Sequence, residues 1–180
     1  MQEQAIHWET DGSSRIPFAA YTSSTLHKKE LERFFYKAHW NYVGLEAEIP
    51  NPGDFKRTVV GERSVILTRS QDGNIHVVEN TCAHRGVAFC RERHGNKKEL
   101  ICPYHQWSYA LDGNLQGVPF RRGVRTPEGK INGGMPADFD PKEHGLTKLR
   151  VAVRGGVVFA SFDHDVESLE DFMGPTILSY

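Results

Sequence analysis

The sequence predicts a mainly β domain of small antiparallel sheets, with a helix toward each end. Three observations carry that expectation. The two-residue turn signals Asp72-Gly73 and Gly155-Gly156 each separate short apolar runs rich in β-branched residues. Apolar residues at helical spacing occur only in the first quarter and the last fifteen residues. Gly and Pro punctuate the stretch between them at short intervals.

Taken in order, residues 1–22 read as an irregular leader. Ser23, Ser24 and Thr25 are candidate helix N-caps. Leu31, Phe34, Phe35, Ala38 and Tyr42 then recur at helical spacing, with Lys28, Lys29, Glu30, Glu32 and Arg33 between them. This predicts an amphipathic helix ending near Trp40, its aromatic stripe packed in the core. Asn51-Pro-Gly53 marks a turn. Ser64–Thr68 and Ile75–Val78 make the first hairpin, around Asp72-Gly73. Leu111-Asp-Gly-Asn-Leu115 is another tight turn, and residues 118–145 read as a long loop. Leu149–Val153 and Val157–Phe162 make a further hairpin, and residues 166–173 begin a short helix.

The totals exclude several classes. At 180 residues with 38% hydrophobic content, the chain can bury roughly 70% of its unfolded surface without a disulfide scaffold. A formal net charge of −1 supplies no global pull toward nucleic acid or an anionic membrane. No apolar run approaches the ~20 residues of a membrane span, and the first residues lack the basic and apolar regions of a signal peptide. The three cysteines do not have a secreted spacing, which points to a reducing cytoplasm.

All three cysteines lie in residues 80–109. Two pairs stand out there: Cys82 with His84, and Cys102 with His105, each following a predicted strand. Soft thiolates and borderline imidazoles suit zinc or iron–sulfur chemistry. A mononuclear zinc site usually draws on C-x2-4-C or H-x3-5-H spacing, which neither pair has. A [2Fe–2S] cluster with mixed ligands needs two cysteines on one iron and two histidines on the other, so two loops can each supply one ligand to each iron.

Cys82-Ala-His84-Arg85-Gly86 and Cys102-Pro-Tyr104-His105, separated by seventeen residues, resemble the two cluster-binding loops of Rieske proteins. The resemblance extends to Trp40-Asn-Tyr-Val-Gly44, Ile49-Pro-Asn-Pro-Gly-Asp54, Trp107-Ser-Tyr109 and Asp112-Gly-Asn-Leu115, which look like the N-terminal domain of the large subunit of aromatic-ring hydroxylating oxygenases. Val118-Pro-Phe-Arg-Arg-Gly123 and Asn132-Gly-Gly-Met135 are similar to the salicylate 5-hydroxylase and anthranilate-type members.

That resemblance implies Cys82, His84, Cys102 and His105 as cluster ligands, with Arg85, Gly86, Tyr104, Trp107 and Tyr109 around them. It implies a leader and helix over 1–39, a Rieske [2Fe–2S] domain over 40–165, and the start of a C-terminal catalytic domain over 166–180. Mononuclear Fe(II) is expected only in that further domain, and no catalytic residue in these 180. His144 and His164, with Asp163 and Asp165 beside the latter, lack the spacing of an iron site and read as surface residues. The implied partners are a ferredoxin or an NADH-charged reductase, other large subunits in a trimer, and a small β subunit. Apolar surface near 169–180 would then be left for such contacts.

Val87 and Tyr104 stand where respiratory-type Rieske proteins carry a further disulfide, and the Ser that follows the second His in high-potential members is absent, the local sequence being His105-Gln106-Trp107-Ser108. Neutral imidazoles leave the oxidised cluster uncharged, where four thiolates would leave −2, so electron uptake is easier than in all-cysteine clusters. With fewer hydrogen bonds to sulfur than in those high-potential members, the expected potential is at the low end of the Rieske range, about −150 mV. Gln106, where many members have Gly, is a departure. Cys90 has no partner and reads as a small buried residue. Trp107 and Tyr109 are expected to wall the cluster from water, and the imidazole edges of His84 and His105 to be the electron exit. Arg85 either helps docking or only packs. Arg121, Arg122, Arg125 and Lys130 form a basic run that either docks an acidic partner or is a solvated loop. His7, His27, His39, His76 and His94 have no partner spacing. The competing interpretations are an autonomous low-potential Rieske ferredoxin-like carrier and a structural zinc module.

Overall fold

The structure, a computed structural model, describes residues 15–179. His7 and most of the expected leader lie outside the described residues. From the end of that leader onward, the chain forms a helical turn α1 (Ala19–Thr22) and then α2 (Ser24–Glu30). Ser23 caps α2, its hydroxyl accepting the Leu26 N–H at 3.2 Å.

The expected aromatic stripe fails beyond this point. Over Leu31–Phe35 the backbone widens to a π turn, with the Tyr36 N–H donating to the Leu31 carbonyl. The wider turn breaks the 3.6-residue register. Leu31 alone stays buried, while Phe34 and Phe35 are 45% and 36% exposed and Tyr42 has moved into a strand.

The body is larger than a set of isolated hairpins. β1 (Asn41–Leu45), β2 (Asp54–Val60), β3 (Arg63–Arg69), β4 (Ile75–Glu79) and β5 (His94–Asn96) come first. Three short strands follow: β6 (Leu100–Ile101), β7 (Ser108–Tyr109) and β8 (Leu115–Gly117). The 118–145 stretch is mostly irregular, as expected, but holds a small ribbon of β9 (Val124–Arg125) and β10 (Ile131–Asn132) and a 3₁₀ turn at Pro141–His144. β11 (Lys148–Arg154), β12 (Val157–Ser161) and α3 (Leu169–Leu178) complete it. Seven strands form one antiparallel sheet in the order β1-β12-β11-β4-β3-β2-β5, and β6-β7-β8 form a second.

Both predicted hairpins are present. Arg154 pairs with Val157 across Gly155-Gly156, whose φ values of 56° and 79° suit a tight two-residue turn. The β3–β4 turn is closed by the Asp72 carboxylate, which accepts the Asn74 N–H. β1 and β2 lie on either side of the Asn51-Pro-Gly53 turn, but neither carries the apolar alternation that would mark it as a strand, and they were not anticipated.

The large sheet separates two apolar cores. Val65 and Leu67 of β3, with Val77 of β4, join Val43, Ile49, Val60, Leu149, Val158 and Ala160 on one side. Ile66 and Val78 point the other way, into a core that contains all three cysteines. A strand buried on both faces has no need of polar alternation, which explains the continuous apolar run of Ser64–Thr68. Thr68 closes that run with a buried hydroxyl donating to the Leu111 carbonyl at 2.7 Å, tying the large sheet to the small one.

A third cluster fixes the end of the chain. Trp40, Val166 and Leu169 are buried together, and the Trp40 indole N–H donates to the Glu167 carbonyl at 3.0 Å. α3 starts later than the sequence suggests because Ser168 is the residue that caps it, accepting the Asp171 N–H. It bends at Gly174, just before Pro175. Ile177 is exposed at its end, so some apolar surface does remain there.

Asp54 ties the first residue of β2 to β5. Its carboxylate accepts the Asn51 N–H at 2.8 Å and the Asn96 side-chain amide at 2.8 Å. These bonds, Asn96 first, hold its pKa below the ordinary value of 3.8. A depressed carboxylate stabilises the fold above its unfolded pKa and loses that contribution as pH falls through the folded value. The stability gap between wild type and Asp54→Asn in urea unfolding is therefore expected to be full at neutral pH and to shrink below pH 3.8. A gap that stays constant into strong acid would remove this role.

Candidate metal centre

Two loops at one end of the sheets carry the four candidate ligands. The first joins β4 to β5 and the second joins β6 to β7. Their hydrogen-bond frames match. In the first, the Cys82 N–H donates to the Val87 carbonyl at 2.9 Å and the Gly86 N–H to the Cys82 carbonyl at 2.8 Å. In the second, the Cys102 N–H donates to the Trp107 carbonyl and the Gln106 N–H to the Cys102 carbonyl, both at 2.9 Å. Each loop therefore turns back on its own cysteine over the same span. The residue four beyond each cysteine sits in the left-handed region, Gly86 at φ 70° and Gln106 at φ 58°. The departure at Gln106 thus falls at a position where a side chain strains the backbone, and the turn forms regardless.

The ligands divide by burial. Cys82 and Cys102 are 2% and 1% exposed and share a core with Phe89, Trp107 and Tyr109. All three cysteines are free thiols. Burial pushes the Cys102 thiol up, while the backbone N–H groups of Tyr104 and His105 bond to its sulfur and pull it down. His84 is exposed and His105 half-buried, with ring centroids 4.6 Å apart. Desolvation, then the neighbouring His105 and Arg85, hold the His84 imidazole below its usual range and so favour the neutral form that binds metal.

Tyr109 joins the two loops. Its hydroxyl lies 3.2 Å from the Cys82 sulfur and accepts the Ala83 N–H at 3.1 Å. Burial, then the adjacent Cys82, push this phenol well above its usual range, so it keeps its proton and can donate it to sulfur. Hydrogen bonds to sulfur here come from Tyr109 and two backbone N–H groups, without the further Ser hydroxyl expected in high-potential members.

The rings arrange themselves around the histidines. Trp107 stacks on His84 at 4.7 Å and 8°, and Tyr104 leans over His105 at 3.9 Å and 32°. Tyr104 is 61% exposed, so it belongs to the surface of the site. Arg85 is exposed, and Val87 is half-buried against the cysteine core. Cys90 is buried, its sulfur 3.7 Å from the Glu92 carbonyl.

Three residues not anticipated as part of the site belong to its surroundings. Buried Asn80 staples the base of the first loop: its side-chain oxygen accepts the N–H groups of Phe89 and Cys90, and its amide donates to the Cys90 carbonyl. Only a side chain with donor and acceptor on one carbon does this, but nothing in the sequence marks this Asn among others. Phe139 and His144 reach the site from the long loop. His144 is a correction: it is half-buried and stacks on Phe139 at 4.4 Å, with Trp107 edge-on to both. Its lack of iron-site spacing makes it read as a surface residue in the sequence, where more than thirty residues separate it from Trp107.

Other candidates lie apart. His164 is exposed, with Nε2 2.9 Å from the Lys148 carbonyl, and the Asp165 N–H donates to Asp163. Arg121 donates to the Phe139 carbonyl at 3.1 Å while remaining exposed, like Arg122, Arg125 and Lys130 of the same basic run. His27 pairs with Glu62, His39 meets Phe172 edge-on and His76 bonds Ser70, while His94 lies exposed on β5.

Among the described residues, no three His, Cys, Asp or Glu gather to hold a single ion. The arrangement is two plus two: buried thiols beneath, imidazoles above. An ion about 2 Å from one nitrogen of each ring would leave their centroids roughly 5 Å apart, close to the observed spacing. The donor set therefore fits a binuclear cluster with one sulfur-bound and one nitrogen-bound metal.

Comparison with known proteins supplies the context. Residues 39–128 match the model of the Rieske [2Fe-2S] domain. The chain is 72% identical over 173 residues to the large oxygenase component of salicylate 5-hydroxylase from Ralstonia sp., covering 96% of this chain and 41% of that protein. It is 50% identical over 169 residues to the anthranilate 1,2-dioxygenase large subunit of Burkholderia cepacia, covering 94% and 39%. Among solved structures, naphthalene 1,2-dioxygenase from Rhodococcus sp. bound to indole superposes with a TM-score of 0.73 at 32% identity, over 86% of this chain and 33% of that one. The apo form of a quaternary ammonium Rieske monooxygenase gives 0.78 at 26% identity, over 92% and 44%. The chain thus spans about two fifths of the length of these curated relatives.

The matched loop frames make opposite predictions at their left-handed positions. Gln106→Gly is expected to stabilise the protein by about 0.5–1 kcal/mol, and Gly86→Ala to destabilise it by about 1 kcal/mol, in urea unfolding. A loss of stability in Gln106→Gly would show instead that the Gln106 amide, 3.4 Å from the Pro103 carbonyl, holds the turn.

Proposed function

This chain belongs to the Rieske [2Fe–2S] domain family, and on that premise we propose that it is the electron-carrying part of the large subunit of an aromatic-ring hydroxylating oxygenase. The observation that supports this best is the pair of matched loops, each presenting one buried thiol and one outward imidazole. Cys82 and Cys102 would hold one iron, and His84 and His105 the other. Bound there, the cluster supplies one-electron redox chemistry near the low end of its range, about −150 mV.

The residues of this chain shape that step. The apolar core around the thiols excludes water from the sulfur side. Tyr109, and the backbone N–H groups of Tyr104 and His105, direct hydrogen bonds at sulfur and favour the reduced, more negative state. His84 and His105 carry the outward edge and are the natural point of electron exit. Arg85 and the exposed Arg122, Arg125 and Lys130 offer positive charge to an acidic partner.

For the full-length subunit, the similarity to longer oxygenases supports a mononuclear Fe(II) in a C-terminal catalytic domain, with residues 166–180 leading into it. It supports electrons arriving from NADH through a reductase or ferredoxin, and assembly with other large subunits, as a trimer with or without a small β subunit. An aromatic acid such as salicylate is the substrate class favoured by the 72% identical relative. No helix among the described residues is long and apolar enough to cross a membrane, and a cytoplasmic location suits the three free thiols. The similarity to oxygenase large subunits along 96% of this chain weighs against an autonomous ferredoxin-like carrier, and the Rieske match against a zinc module.

The test is EPR of the dithionite-reduced, iron- and sulfide-loaded chain, with a redox titration of the same sample. A signal with average g below that of the free electron and a potential near −150 mV is expected. Cys82→Ser, Cys102→Ser, His84→Ala and His105→Ala should each abolish it. Tyr109→Phe should lower the potential by about 60 mV, the equivalent of one hydrogen bond of about 1.4 kcal/mol to the reduced state. A colourless protein that takes up only zinc would overturn the assignment. A potential well above zero would overturn the low-potential tuning.

A further inference from the structure

We propose that the 118–145 connection is a buttress for one of the two imidazoles, and that His144 is a positioning residue of the redox centre, acting on His84 through Phe139 and Trp107. The inference rests on the Rieske assignment above and concerns only the packing behind it.

The contacts run in one direction. The Trp107 ring lies flat on His84, 4.7 Å away and 8° from parallel. A flat contact of this kind resists tilting of the imidazole about its own Cβ–Cγ bond. Trp107 is itself held at its edge by Phe139, with centroids 5.9 Å apart at 77°. His144 meets it at 6.2 Å and 70°. Phe139 and His144 form a parallel stack at 4.4 Å and 9°, which makes a two-ring wall against the indole.

That wall is tied down from behind. Arg121 donates to the Phe139 carbonyl and sets its guanidinium 5.5 Å over the Phe139 ring. The Asp140 carboxylate caps the turn that carries His144 by accepting the Lys142 N–H at 2.9 Å. The Met135 N–H donates to the Arg121 carbonyl, and the Leu146 N–H to the Gly113 carbonyl, fixing the connection on either side of Phe139.

Among the described residues, the rings against His105 are Tyr104, mostly exposed and adjacent in sequence, and His84 itself, edge-on at 4.6 Å. The two imidazoles are therefore unequal: a chain of three rings, Trp107, Phe139 and His144, backs His84, whereas the ring backing His105 from outside the pair is the surface Tyr104. Groups around metal ligands that fix their orientation commonly change metal retention about 10–100-fold when removed.

The experiment is pulsed EPR on the reduced, iron- and sulfide-loaded chain, which resolves the couplings of the two ligand nitrogens, together with the rate of iron loss to a chelator. His144→Ala should alter one nitrogen coupling and leave the other as in wild type, and should speed iron loss about 10-fold. His144→Phe, which can keep the stack on Phe139, should restore both. Tyr104→Ala should alter only the other nitrogen. His144→Ala with wild-type couplings and wild-type iron retention overturns the proposal. So does equal disturbance of both nitrogens, or loss of the cluster in His144→Phe as well as His144→Ala. A wild-type chain with no Rieske signal fails at the earlier step and counts against the cluster assignment itself.

Discussion

The hydroxyl of Tyr109 is the bond on which the centre depends. It sits on the small sheet, fully buried, and reaches the sulfur of Cys82 and the amide of Ala83 on a loop that belongs to the large sheet. The two cysteines come from different sheets, so bringing them together is a problem of docking one sheet on another. Thr68 does part of this from the other side, through the Leu111 carbonyl. Leu100, Leu111, Leu115 and Leu146 fill the space between. Each buried leucine contributes about 1.5–3 kcal/mol, and the hydrogen bonds about 1 kcal/mol each. Burial therefore supplies most of the attraction, while the hydroxyls decide the alignment.

The double role of β3 and β4 follows from the same arrangement. Alternate residues of these strands serve opposite cores, so one strand supports both the curl of the large sheet and the floor of the metal site. A loosened floor would be felt at the thiols. The histidines, one exposed and one half-buried, stand farther from that floor and depend on neighbouring rings. Chemistry and mechanics thus divide along the same line: the candidate thiol ligands lie in the packed interior and the candidate imidazole ligands at the surface.

Much of this was legible in the sequence, because the signals are local. Asp72-Gly73 and Gly155-Gly156 dictate turns wherever they occur, and two short Cys/His motifs on successive loops carry the centre. What was not legible depends on distance or on geometry that no residue announces. The helix after Ser23 keeps its spacing in the sequence past Leu31, but the backbone widens there and turns Phe34 and Phe35 to solvent. Asn80 looks like any polar residue at a strand end until its four polar contacts are seen. His144 looks like a surface residue because its partners, Phe139 and Trp107, become neighbours only when the long loop folds back. Arg121 is an exposed member of the basic run, as its sequence suggests, but it also holds Phe139, which no local signal announces.

The fixed donors around the two sulfurs carry a kinetic consequence. An electron arriving at a metal centre normally forces nearby dipoles and water to reorient, and that reorganisation sets much of the barrier to transfer. Here the Tyr109 hydroxyl and the N–H groups of Tyr104 and His105 already bond to the sulfurs, and the thiols are buried among apolar side chains. In the proposed role, the sulfur side of this chain is solvated in advance for the charge it will receive. The remaining rearrangement falls on the imidazole side, where solvent touches the rings, so that the speed of a hop is governed by how close a partner brings its own acceptor to that edge.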